Sequence, residues 1–146
     1  MTHKAHSSYL QTEVLSSDPL NLVRLLYRAA IDALATARRH LQSGGIRERS
    51  CAIAKASDIL RELTVSLDHQ RGGEISQALA ALYAYMRHRL NEANAQQREE
   101  PLVEVQKLLM TLLEAWVAIG TGNAPVIGTD FEPQRAHSPG APQAVA

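Results

Sequence analysis

Apolar and polar residues alternate along this chain with the period of an α-helix in four successive stretches. In the first, Leu20, Val23, Tyr27, Ala30, Leu34, Ala37 and Leu41 recur at intervals of three and four, and Leu22, Leu26, Ala29 and Ala33 widen the same face. Asp18 followed by Pro19 marks its start. Aspartate can accept from free backbone N–H groups, and proline fits the first helical position, where its missing donor costs nothing. Gly44 and Gly45 close it. The second stretch spans about Ile46 to His69, with Ile53, Ala56, Leu60, Leu63 and Leu67 in one row and Ile59 and Val65 outside that row. The third runs from about Glu74 to Ala93. Ile75, Leu79, Leu82 and Met86 form one row there, and Ala78, Ala81 and Tyr85 form a second beside Leu82. The fourth begins near Pro101, with Glu99 and Glu100 close to its positive end. It repeats Leu102, Val105, Leu109, Leu112, Trp116 and Ile119 and stops at Gly120 and Gly122.

The run from Leu67 to Met86, LDHQRGGEISQALAALYAYM, predicts the end of one helix, a glycine corner and the start of the next. Asp68 and His69 fall in the last turn, Gly72 and Gly73 break the helix, and Glu74 sits where a carboxylate favours a helix N-terminus. Four amphipathic helices joined by short connections predict an all-α protein, an antiparallel up-down-up-down four-helix bundle. No segment has the sustained alternation of a strand. The bundle is expected over 18–120, preceded by a polar N-terminal arm over 1–17 that carries Tyr9, Leu10, Val14 and Leu15. A disordered C-terminal tail rich in Pro, Gly and Ala is expected over 121–146.

Composition narrows the function classes. With only 4% aromatic residues against 45% hydrophobic, the core must be built mainly from aliphatic side chains. Fifteen basic and fifteen acidic residues cancel, which argues against nucleic acid as the main partner. The clusters Arg38-Arg39-His40 and Arg87-His88-Arg89 therefore read as solvated helix faces, with room for an acidic protein partner. Cys51 is the single cysteine, so no internal disulfide can form, which suits a reducing cytosol. Nothing approaches a run of about 18 apolar residues, and no membrane insertion is expected.

Catalytic chemistry finds no foothold. The Glu-x-x-His pairs of a bundle di-iron site are missing, as is any His-x-x-x-His pair, so no metal and no cofactor are expected. Cys51 shares a helix row with Lys55, Asp58 and Glu62 but has no histidine placed as its base. The chain reads as a non-enzyme. What exceeds the needs of a bundle core is the set of extra apolar positions: Ile59 and Val65, then Ala78, Ala81, Leu82 and Tyr85. Small residues beside an aromatic one suit a shallow groove that receives another helix. Tyr9, Leu10 and Val14 are candidates to cover such a groove and to be displaced by a better ligand.

The same segments carry a family resemblance. LD…GGEI…L..LY.YM closely resembles the middle of the flagellin export chaperones, the FliS family. The opening YLQTEV…S.DPLNLVRLLYRAAIDAL is similar to that family's tyrosine-bearing arm and first helix. EVQKLLMTLLEAWVAI resembles its closing helix through Glu104, Val105, Leu108, Leu109, Ala115, Trp116 and Ile119. The resemblance implies a cytoplasmic four-helix-bundle chaperone. Such a chaperone binds the disordered C-terminal segment of flagellin, blocks premature polymerisation and aids delivery to the FlhA gate of the type III export apparatus. It also makes Tyr9 a candidate contact for that gate, and the free chain a monomer or weak homodimer. Ala78, Ala84 and Arg87 depart from the family pattern, which points to a divergent flagellin or a paralogous client. The alternative reading is a self-associating bundle with a structural or regulatory role in flagellar assembly.

Overall fold

The structure, a computed structural model, describes residues 19–119. The arm with Tyr9, Leu10 and Val14, the Asp18 cap, the Gly120 stop and the tail all lie outside the described residues. Four helices follow one another: α1 Pro19–Ser43, α2 Ile46–Val65, α3 His69–Gln96 and α4 Glu100–Ile119. Each packs against its neighbour in sequence, and α1 also packs against α4, closing an antiparallel ring. There are no strands among the described residues.

The core follows the stripes. Tyr27, Ala30, Leu34 and Ala37 of α1 are fully buried, as are Ala56 and Leu60 of α2 and Leu102, Val105 and Leu109 of α4. The α1–α2 connection is two residues long, and its geometry explains both glycines. Gly44 adopts φ +85, which a side chain resists, and the Gly45 N–H donates to the His40 carbonyl at 2.9 Å, satisfying a carbonyl at the helix end. A Cβ on Gly45 would meet His40 Nδ1 and Glu48 Oε1 at 2.9 Å. At the third corner Gln97 takes the left-handed conformation, and its N–H donates to the Ala93 carbonyl.

The second corner departs from the sequence expectation. Helix α2 ends at Val65 rather than near His69, and the Ser66 and Thr64 hydroxyls donate to the carbonyls of Leu63 and Leu60. Asp68 is not in the last turn of α2. It caps α3, accepting from the N–H groups of Gln70 and Arg71 at 3.1 and 3.2 Å. His69 to Gly72 then form one turn before the chain bends at Gly73 (φ 52, ψ −127) into the long part of α3. The aspartate cap outcompeted continuation of α2 because it satisfies two free N–H groups at once. The glycine break predicted at Gly73 is present, but it lies within α3.

The bend also sets which face of α3 turns inward. Ser76, Tyr83, Met86, Leu90 and Ala93 face the core, while Ile75 is 44% exposed and Leu79 and Leu82 are half-buried. The rotation is fixed by polar contacts. Ser76, 1% exposed, shares a 2.7 Å hydrogen bond with His69 Nδ1, and the Tyr83 hydroxyl meets that of Tyr27.

Candidate interaction surface

Helix α3 presents different chemistry on its two flanks. On the flank toward α4, Tyr85 donates from its hydroxyl to Glu104 Oε2 at 2.6 Å. Arg89 reaches Glu104 Oε1 and Glu92 Oε1, both at 2.6 Å, and closes a network between the helices. The bond from the Tyr85 hydroxyl, followed by that from Arg89, holds the Glu104 carboxyl below the usual carboxylate range. Arg89 does the same for Glu92.

This network fixes the antiparallel register of α3 and α4. Successive turns toward Gly73 then place Ala81 and Leu82 level with Leu108, and Ala78 level with Thr111 and Ala115. Ala78, Ala81, Thr111 and Ala115 are exposed, Leu82 and Leu108 are half-buried, and Ile75 extends the strip at 44% exposure. The result is a shallow apolar seam, narrow in side-chain bulk and bounded at one end by the charged Tyr85 network. Its small residues let a helix approach closely.

Of the residues singled out in the sequence, Ala78, Ala81, Leu82 and Tyr85 come together on this seam. Ile59 does not: it belongs to the core at 9% exposure. Val65 is 77% exposed but is the last residue of α2, which packs against the other flank of α3. Tyr9, Leu10 and Val14 lie outside the described residues. Besides Ile46, the first residue of α2 at 59% exposure, two exposed apolar residues are not among the sequence candidates: Met110 at 50% and Val117 at 42% exposure. They are seven residues apart on α4, off its core row, and that spacing was the available signal. They share the α4 flank that meets α1, where Gln106 donates to the Ile31 carbonyl and accepts from Arg38.

Among the described residues no group of three or more His, Cys, Asp or Glu side chains could hold a metal ion. No helix among them is long and apolar enough to cross a membrane. Cys51 is exposed.

An antiparallel four-helix bundle with an open apolar seam along its outside has the form of a helical protein-interaction module. The sequence matches the family "Flagellar protein FliS" over residues 1–123. It is 36% identical over 111 residues to the "Flagellar secretion chaperone FliS" of Salmonella typhimurium (strain LT2), covering 75% of this chain and 82% of that protein. It is likewise 36% identical over 110 residues to the "Flagellar secretion chaperone FliSB" of Pseudomonas aeruginosa, covering 75% of this chain and 87% of that one. The fold is similar to a solved structure described as the "Crystal structure of flagellar chaperone from bacteria". The TM-score is 0.69 and the identity 15%, over 84% of this chain and 100% of the other. The chain belongs to the FliS family.

Proposed function

We propose that this chain is a cytoplasmic, non-enzymatic chaperone of flagellar secretion that holds the C-terminal segment of flagellin before assembly and aids its delivery to the FlhA export gate. Relatives at 36% identity bear the name flagellar secretion chaperone, which supports the reading. The observation that carries it is the α3–α4 seam of Ala78, Ala81, Leu82 and Tyr85, apolar surface that the bundle itself does not cover. A disordered client loses conformational entropy on binding, so it needs a long apolar contact rather than one deep pocket. Tyr9, Leu10 and Val14 would act as a displaceable cover for that surface, with Tyr9 also a contact for the gate.

The test is co-elution of the full chain with a flagellin C-terminal peptide, followed by light scattering. A one-to-one complex is the expected result. Absence of binding at micromolar concentrations overturns the reading. A stable oligomer that ignores the peptide would favour a self-associating structural bundle instead. Deleting residues 1 to 15 should leave helicity and cooperative melting nearly unchanged and strengthen peptide binding.

A further inference from the structure

The flank of α3 that faces α2 carries an electrostatic imbalance. A cavity of about 290 Å³ opens there, lined in part by Ser50, Ser57, Arg61, Arg87, Asn91 and Asn94. Behind Asn94 lies Arg49, 5% exposed, whose Nε donates to Asn94 Oδ1 at 3.0 Å. Three arginines, Arg49, Arg61 and Arg87, thus stand against one carboxylate, Asp58, which pairs with Arg61 at 2.7 Å. Neither Arg49 nor Arg87 has an ion pair among the described residues. Arg87 Nε is hidden from solvent and has no hydrogen-bond partner. Two positions along the same helix, Arg89 is paired with both Glu92 and Glu104. A buried guanidinium N–H left unpaired costs its full desolvation, and the ligand that matches its fork is a carboxylate.

We infer that the cavity is a carboxylate-binding site and that its occupant is the segment Asp130-Phe131-Glu132 of this same chain. Asp130 and Glu132 carry the only side-chain carboxylates after Glu114, and they flank the only phenylalanine. Ile53 and Ala54 give the cavity an apolar wall for that ring. The reach is sufficient. The eleven residues from Ile119 to Asp130 span at most about 40 Å. Helices α2 and α4 run in the same direction, so Ile119 lies at the bundle end where α2 stops. Arg61 is four residues, about 6 Å, from that end, and with neighbouring helices about 10 Å apart the diagonal from α4 to α2 is about 14 Å. Tethering raises the effective concentration to the order of millimolar, so even a weak site fills from within the chain. The family match ends at residue 123, so the occupant belongs to the part of this chain beyond it.

The test attaches a spin label at position 134 (Gln134→Cys) in the full chain with Cys51→Ala, and reads the broadening of backbone amides. With most molecules docked, signals of Ser57, Arg61, Arg87 and Asn91 should fall roughly twofold or more, while those on the outer face of α4 stay sharp. The variant Asp130→Asn/Glu132→Gln, which leaves the bundle untouched, should restore them. Arg87→Gln, checked for an unchanged circular-dichroism melt, should do the same. Uniform broadening, or broadening that survives the Asn/Gln pair, overturns the inference. So does an acidic client peptide that fills the cavity while the tail never broadens it, an outcome that would assign the site to a client.

Discussion

The hydroxyl oxygens of Tyr27 and Tyr83 lie 2.7 Å apart in the centre of the bundle, joining helices α1 and α3 across 56 residues of sequence. Both side chains are buried, and their rings meet edge-on at a centroid distance of 6.4 Å. Burial pushes both phenols above their ordinary range.

The two hydroxyls should behave as a coupled pair, so that the losses from removing each are not additive. Tyr83→Phe strands the Tyr27 hydroxyl without this partner, at a cost of about 1–3 kcal/mol, whereas the double phenylalanine variant removes both phenol oxygens and leaves the Trp116 N–H, which also bonds Tyr27, as the stranded group. Urea unfolding of the two single variants and the double variant checks this; additive losses would contradict it. The same pair limits alkaline stability. A phenol whose folded pKa is raised contributes fully below the unfolded value, near 10, and loses that contribution as pH climbs through the folded value. The double variant should therefore show a flatter decline in melting temperature above about pH 10.

Acid should weaken the seam end of the bundle through Glu104. Its folded pKa is depressed, so its contribution is present above the unfolded carboxylate value, near 4.5, and is lost as pH falls through the folded one. Glu104→Gln should lower the melting temperature near neutrality and reduce the further drop on going to about pH 3. An unchanged pH profile would remove the Tyr85–Glu104–Arg89 network from the stability of the fold.

The second corner should be sensitive at two residues for two reasons. Gly73→Ala meets no steric obstacle within 4 Å, so its penalty comes from the backbone angles alone, about 1–3 kcal/mol. Asp68→Ala removes the acceptor for two N–H groups and should cost about 0.5–2 kcal/mol. Thermal melts decide both. A neutral Gly73→Ala would mean the bend relaxes freely.

Charge placed on the seam should separate binding from folding. Ala78→Glu and Ala81→Glu alter exposed residues, so stability should change by no more than about 0.5 kcal/mol. Flagellin-peptide binding measured by calorimetry should fall sharply. Retained binding in both variants would move the client to another face, with Met110 and Val117 the next surface to alter.

The bundle was legible in the sequence because its rows are local: Tyr27 to Ala37, Leu60 to Leu63 and Leu102 to Leu109 each repeat within one helix, and burial follows the repeat. The face of α3 was not. Ser76 looks polar and Ile75 apolar, yet the serine is inside and the isoleucine outside. What decides this is His69, seven residues before Ser76, and Tyr27, 56 residues before Tyr83, contacts that a helical period cannot register. Ile59 failed as a surface candidate for a related reason. Helix α2 buries a wider face than its main row suggests, taking in Ala52 and Arg49, the latter held by Asn94 of α3.

Trp116 is the single tryptophan of the chain, buried in α4 with its ring 6.1 Å from that of Tyr27 and at 60° to it. Tyr27 in turn touches Tyr83, so light absorbed by either phenol can pass by resonance transfer to one indole. The adjoining residue, Ala115, looks out onto the seam. The molecule thus carries an intrinsic optical gauge. Its emission colour reads the dryness of the core, and the tyrosine-sensitised part of its intensity reads whether α1, α3 and α4 remain together while a peptide settles on the outside.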